Sequence, residues 1–319
     1  MANIIALGEL LIDFIQNDIN ENRNPSYEAN PGGAPCNFLA MAKKFGNKVS
    51  FIGKVGNDAF GKQLENAIID AGINTSGLLK SSDYGTTLAF IHHDSTGDRS
   101  FSFYRSADSF IDEKEITENF FDQKDVFHFG TLSMTNDICK KATQKAIKIA
   151  QDKNLIISFD PNLRKNLWNN LDKAKEAFIE GFKACDILKI ADNELRWFTG
   201  IDNIDKAIKV FRTQYPIKLI FVTLGKDGSR AYYKDLEVTA PTFLELPCID
   251  TTGAGDSFFG TAISKTLEYG LNNLDKKNLS KSLIFANAAA SIVASRKGVI
   301  KSLPEISEIE RLSKTNKFY

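Results

Sequence analysis

The sequence predicts an α/β protein built on a parallel sheet. Three observations carry that expectation. Apolar segments of strand length alternate with longer segments of helical periodicity at 125–130, 136–153, 155–160, 171–184, 186–190, 203–214 and 218–224. Such alternation implies βαβ units and parallel strands. Residues 4–7 form a short continuous apolar run, the pattern of a strand buried on both faces. No low-complexity segment, no linker rich in Pro, Gly or Ser and no internal repeat interrupts the chain, so we expect one domain over residues 1–319 with a small lid.

Bulk properties narrow the class. A chain of 319 residues buries about three-quarters of its unfolded surface and needs no staples. Forty Lys and Arg residues balance forty Asp and Glu residues, which argues against nucleic-acid and membrane-surface partners. Cys36, Cys139, Cys185 and Cys248 are far apart and form no Cys-x-x-Cys pair, the usage of reduced thiols. The start carries no basic n-region or cleavage site, and no apolar run approaches membrane-spanning length. A cytoplasmic location is therefore expected. The three histidines, His92, His93 and His128, make a histidine-based metal site improbable.

Taken in order, the first strand leads through Gly8 to Phe14 into a polar stretch that runs to Asn30. Asp13 follows a buried strand, where a carboxylate can accept two hydroxyls of a polyol; the plainer reading is a solvated acid. In Pro31-Gly32-Gly33-Ala34-Pro35-Cys36-Asn37 two glycines free the backbone, Pro35 suits a first helical turn, and a helix continues over 38–45 to Gly46. Asn37 in that turn can both donate and accept towards a polyol. Segments 88–93 and 99–105 read as strands joined by the turn Asp94-Ser95-Thr96-Gly97-Asp98, with Phe101, Phe103 and Arg105 on one face.

Residues 250–256, Asp-Thr-Thr-Gly-Ala-Gly-Asp, lie between an extended run ending at Ile249 and an apolar helix that starts near Ser257. Gly253 and Gly255 leave the backbone open to a close ligand. Amides at the start of that helix have no intrahelical partners and share the positive end of its dipole. A phosphoryl group's developing charge is stabilised at such a point, and Asp256 is placed to take a proton from an attacking hydroxyl. A helix cap is the plain alternative for Asp256.

This seven-residue string resembles the second signature of the PfkB (ribokinase-like) carbohydrate kinases. Gly32-Gly33 with Asn37, continuing through Val49 to Gly61, resembles the first. The resemblance extends from Gly8 to about Pro304 and implies a ribokinase-like parallel-sheet sandwich with a small β lid, formed from segments about 10–30 and 86–106. It makes Asp256 the catalytic base and Gly253, Ala254 and Gly255 the anion hole. Asp13, Gly32, Gly33, Asn37, Arg105, Asn162 and Arg164 become the sugar contacts, with Arg105 reaching over the sugar from the lid. Lys189, Thr223, Gly225, Gly228 and Asn287 fall with the nucleotide, Thr223 to Gly228 resembling the family's Thr-x-Gly-x-x-Gly loop. Glu194 keeps the acid of the family's Asn-x-x-Glu, which positions magnesium through water, although Ala191 replaces the Asn. Asp250, Thr252, Ser295 and Gly298 fall where relatives hold a monovalent cation such as K⁺.

Among PfkB kinases, Pro31 to Asn37, Phe103-Tyr104-Arg105 and Asp160-Pro161-Asn162-Leu163-Arg164 look most like fructokinases. The implied reaction moves the γ-phosphoryl group of ATP to fructose with Mg²⁺; 2-keto-3-deoxygluconate kinase and ribokinase are the alternatives. A homodimer through the lid is also expected. Retention of Asp256 and both glycines argues against a catalytically silent sugar-binding relative. The late position of Gly253-Ala254-Gly255, with no full Gly-x-Gly-x-x-Gly, argues against a dinucleotide oxidoreductase.

Overall fold

Ile4 to Leu7, apolar throughout, form a strand at the interior of the main sheet. A computed structural model describes residues 1–19, 22, 24–93 and 99–315; the turn expected at 94–98 and parts of the lid segment at 20, 21 and 23 lie outside the described residues. The first strands are β1 (Asn3–Leu7), β2 (Leu11–Ile19), β3 (Pro25–Gly32), β4 (Lys48–Gly56), β5 (Asn74–Ser81), β6 (Leu88–His93) and β7 (Arg99–Tyr104). They are followed by β8 (Val126–Gly130), β9 (Ile156–Asp160), β10 (Ile187–Ala191), β11 (Leu219–Thr223), β12 (Ser229–Tyr233) and β13 (Leu236–Ala240). The helices are α1 (Ala34–Lys44), α2 (Ala59–Asp70), α3 (Asp137–Asp152), α4 (Leu171–Ala184), α5 (Asp192–Thr199), α6 (Ile204–Gln214), α7 (Ala254–Tyr269), α8 (Lys276–Ala294) and α9 (Ile306–Ser313).

The main sheet has the order β13-β12-β11-β10-β9-β8-β1-β4-β5. It is parallel except for β12 and β13, which turn back along one edge. A period of two along each strand divides the side chains between two cores. Ile4 and Ala6 join Phe38, Phe259 and Leu283 on one face, whereas Ile5 and Leu7 join Phe127, Phe159 and Phe182 on the other. Helices α1, α7 and α8 cover the first face and α3, α4 and α6 the second. Both faces are buried, which explains the near-continuous apolar reading of β1 and β8 to β11.

The second sheet, in the order β3-β2-β6-β7, is the lid. Its β2 pairs antiparallel with β3 and parallel with β6. The strand expected to reach Arg105 ends at Tyr104. The Ala-rich helix α8 begins at Lys276 behind the cap Asp275 and ends at Ala294. Its first turns carry lysines and serines whose apolar contribution is Leu279, too sparse a stripe to read from the sequence. Among the described residues no helix is long and apolar enough to cross a membrane. The carboxyl ends of β8 to β11 face the start of α7, where open parallel sheets gather ligands.

Candidate active site

Gly253 is the N-cap of α7, with φ 73° in the left-handed region. A Cβ on it would stand 2.2 Å from Cγ1 of Val299, so the position is closed to side chains on two counts. Ala254, expected in the anion hole, donates its N–H to the carbonyl of Thr251 at 3.2 Å, which removes that amide from the set of free donors. Among the described residues the N–H groups of Gly253 and Gly255 meet no backbone acceptor, and the helix dipole reinforces both.

Asp256 lies in the first turn of α7, and its Oδ2 accepts a hydrogen bond of 2.8 Å from Nδ2 of Asn37 on α1. Burial raises the Asp256 pKa, while the Asn37 bond and the nearby charges of Lys189 and Arg164 pull it back. The Oδ1 of Asn37 is buried and has no hydrogen-bond partner. An unsatisfied buried acceptor beside a carboxylate is the signature of a site that completes itself with a ligand's hydroxyl.

Asp13, on β2, faces this pair from the lid side. A Cβ on Gly32 would fall 2.0 Å from Oδ2 of Asp13, so only glycine at 32 leaves room for that carboxylate. Burial pushes the Asp13 pKa up to about 7, opposed by Arg164 and assisted by Asp250 and Asp256. A cleft of about 270 Å³ brings together Asp13, Gly33, Asn37, Asn162, Arg164, Lys189, Gly253, Gly255 and Asp256. Leu11, Ile91 and Phe103 of the lid strands close its upper wall. A second cavity of about 360 Å³ is lined by Thr223, Gly225, Gly228 and Asn287, with apolar walls from Phe243, Leu246, Phe258 and Ala290. The two meet at Thr251 and Gly255, which line both. Asn287 spends its Nδ2 donors on the carbonyls of Ala240 and Pro241, each at 3.0 Å, and so shapes the wall of the second cavity.

Several expected residues do other work. Arg105 does not reach over the cleft. Its guanidinium forms an ion pair of 2.7 Å with the buried carboxylate of Asp108 and hydrogen-bonds Oγ1 of Thr135 at 3.3 Å. Burial alone would weaken its charge, but Asp108 and Glu9 hold it firmly protonated. It anchors the end of β7 to the main sheet. Replacing it with lysine keeps the charge and loses the planar fork. We expect Arg105→Lys to destabilise the fold by about 1–2 kcal/mol and to leave the acceptor KM within about twofold, read by denaturant unfolding and initial rates. A large acceptor KM increase at unchanged stability would return Arg105 to the cleft.

Glu194 accepts from the amides of Leu163 at 2.7 Å and Ala191 at 2.9 Å, so it ties the loop after β9 to the start of α5. Each oxygen keeps one further lone pair, enough for an outer-sphere contact with a hydrated divalent ion. Asp250, Thr252 and Gly298 line one cavity of about 140 Å³. Ser295, expected with them, is not part of that lining, and its Oγ is spent on the carbonyl of Ile292 at 2.7 Å.

Residues the sequence reading passed over include Glu9 and the apolar lid wall. Glu9 holds the amide of Ala34 at the start of α1 (2.9 Å), and burial lifts its pKa to about 7. Its position directly after the first strand was the available signal.

Comparison with known proteins identifies the family. Residues 1–306 match the family described as pfkB family carbohydrate kinase. The chain is 34% identical to Fructokinase-1 of Zea mays over 313 residues, 97% of each chain, and 34% identical to Fructokinase-2 of Solanum lycopersicum over 315 residues, 98% of this chain and 96% of that one. The fructokinase of Xylella fastidiosa solved with bound ATP superposes with a TM-score of 0.89 at 27% identity, covering 98% of both chains.

Proposed function

Because the chain belongs to the pfkB family of carbohydrate kinases, we propose that it transfers the γ-phosphoryl group of ATP to a hydroxyl of fructose. The observation that carries the reading is the junction of the two cavities at Gly255, with Asp256 and the unpartnered Asn37 Oδ1 on the acceptor side. ATP fits the larger, apolar-walled cavity, its base against Phe243 and Leu246 and its γ-phosphate at the amides of Gly253 and Gly255. Asp13 and Asn37 take the sugar hydroxyls, with Gly32, Gly33, Asn162 and Arg164 completing the walls. Asp256 removes the proton of the attacking hydroxyl, which then attacks in line. A divalent ion such as Mg²⁺ would supply charge neutralisation on the phosphates when bound, and Glu194 is the carboxylate that would hold its hydration shell.

The acceptor end of the cleft is acidic or neutral at Asp13 and Asn37, and Arg164 is already opposed by Asp13 and Asp256. A permanently anionic acceptor needs an uncommitted basic group there. The test is kcat/KM across fructose, ribose, fructose 6-phosphate and 2-keto-3-deoxygluconate. Fructose leads if the reading holds; a lead for 2-keto-3-deoxygluconate sinks it.

The Asp13 carboxyl binds hydroxyl donors best when ionised. With its pKa raised to about 7 by burial, it is protonated below that pH. The fructose KM therefore rises as pH falls through 7 while the ATP KM stays level, and Asp13→Asn flattens that pH dependence. A sugar KM independent of pH in the wild-type protein removes Asp13 from the sugar site.

Asp250, Thr252 and Gly298 support a potassium-like ion beneath the anion-hole loop, with Ser295 contributing at most through its backbone. Exchange of potassium for tetramethylammonium at constant ionic strength lowers kcat if that ion shapes the loop; an unchanged rate dismisses it. The lid, with Tyr104 largely exposed, is the face through which we propose that two copies pair, a point light scattering decides.

A further inference from the structure

Glu9 is a buried carboxylate that the transfer, as described above, leaves without a task. It lies two residues beyond β1, is 5% exposed, and lines the acceptor cleft with Asn37 and Asp256. Holding a carboxyl group out of water is costly unless it is well hydrogen-bonded, and the end of a strand packs as well with an apolar side chain. The partner that Oε1 of Glu9 meets is the N–H of Ala34, at 2.9 Å. That one contact calls for a reason.

The backbone at the start of α1 supplies it. The N-cap of this helix is Gly33, with φ 125° and no side chain to accept from the first turn. A Cβ there would stand 2.4 Å from the carbonyl oxygen of Glu9, so the usual Ser, Thr, Asp or Asn cap is shut out. Pro35 has no N–H, and the amides of Cys36 and Asn37 donate to the Gly33 carbonyl at 3.1 and 3.0 Å. Ala34 is left as the first-turn amide that needs an acceptor from outside the helix. Glu9 provides it, and the helix dipole favours a carboxylate at that end. The turn held in this way carries Asn37, whose Nδ2 donates to Oδ2 of Asp256 at 2.8 Å. One turn along α7 the two helices meet closely: a Cβ on Gly260 would lie 2.6 Å from the carbonyl oxygen of Phe38. That packing fixes the spacing of α1 and α7, and the first turn of α1 then decides where Asn37 points.

We infer that Glu9 is a positioning residue of the transfer: it fixes the first turn of α1 and, through that turn, the aim of Asn37 at Asp256. Asn37 presents two groups there, the donor that holds Asp256 and the unpartnered Oδ1 that awaits an acceptor hydroxyl. When the Ala34 amide is released the turn frays, and both contacts lose their aim together. The effect falls on the acceptor and the base. It spares the nucleotide, whose cavity is lined by residues between 223 and 294. The inference rests on the kinase reading above.

Glu9→Ala removes the acceptor in the full-length enzyme. We expect kcat to fall by about tenfold or more, on the scale of a small misplacement of reacting groups, with KM for fructose raised and KM for ATP level. Glu9→Gln keeps an oxygen that can accept from Ala34 and should restore most of the rate. A Gln variant as slow as the Ala variant overturns the inference. The decisive comparison is made in an Asn37→Ala background, where the aim is already lost. If Glu9 works through Asn37, adding Glu9→Ala to Asn37→Ala lowers kcat no further. Losses that multiply in the double variant overturn the inference. So does a Glu9→Ala protein with a lower melting temperature and wild-type kcat, the pattern of a purely structural tie. Should Glu9→Ala fail to fold, Glu9→Asp, one methylene shorter, takes its place. A loss of rate that vanishes in the Asn37→Ala background then supports the inference; wild-type kcat, or a loss that persists in that background, overturns it. A wild-type protein that phosphorylates another sugar and not fructose fails the substrate reading alone, and the Glu9 comparison is then made on that sugar.

Discussion

Asp256→Asn lowers kcat by roughly 10²–10⁴-fold, the range of a general base, with ATP and fructose still bound. The amide is nearly isosteric with the carboxylate and can keep its contact with Nδ2 of Asn37 if its oxygen faces that donor. What it loses is the capacity to accept a proton. The wild-type carboxyl pKa is raised by burial, so kcat/KM should fall on the acid side as Asp256 becomes protonated. In the variant that limb disappears along with the rate. Stopped-flow nucleotide binding separates chemistry from affinity. A variant with near wild-type turnover would make Asp256 a simple helix cap and would remove the mechanism.

Gly253→Ala tests the other half of the site. The new side chain must adopt a left-handed backbone, at about 1–2 kcal/mol, and meets Cγ1, Cγ2 and Cβ of Val299 at 2.2, 2.8 and 3.0 Å. Relief requires the turn to shift, and the shift carries the Gly253 amide away from the phosphoryl position. Loss of one such donor lowers kcat by about 10²–10³-fold. Val299→Gly removes every contacting atom and should by itself change kcat little. Combined with Gly253→Ala it should restore part of the rate, since the clash is lifted and the backbone penalty stays. Additive losses in the double variant would show that Val299 does not transmit the effect; a fully active Gly253→Ala would place the anion hole elsewhere.

The strands and helices read between 125 and 224 match to within a residue, because each parallel strand is buried on both faces and each of those helices presents one apolar side; α5, eight residues directly after β10, was not among them. The glycine strings at 32–33 and 253–255 were legible because their backbone demands exclude nearly every other residue. Arg105 was misplaced for a physical reason. Alternation along a strand shows which face a side chain takes but not that Asp108 and Thr135 wait beside it. The amide of Ala254 was counted as free because its acceptor, Thr251, lies within the same turn, below the resolution of any motif. The ion pair of Asp160 with Lys189 was not legible because the sheet, and not the sequence, brings the two together.

The interior place of β1 bears on how the protein is made. Ile4 pairs with Val49 on one side and with Val126 on the other. During synthesis β1 leaves the ribosome well before β8 and thus keeps one edge unpaired until Val126 and its neighbours have emerged. Residues 4–7 are apolar with open hydrogen-bonding groups during that interval, the condition under which nascent chains aggregate or recruit chaperones. Fragments that end before β8 should accordingly be insoluble when released, whereas those that extend past it gain the partner that closes the edge.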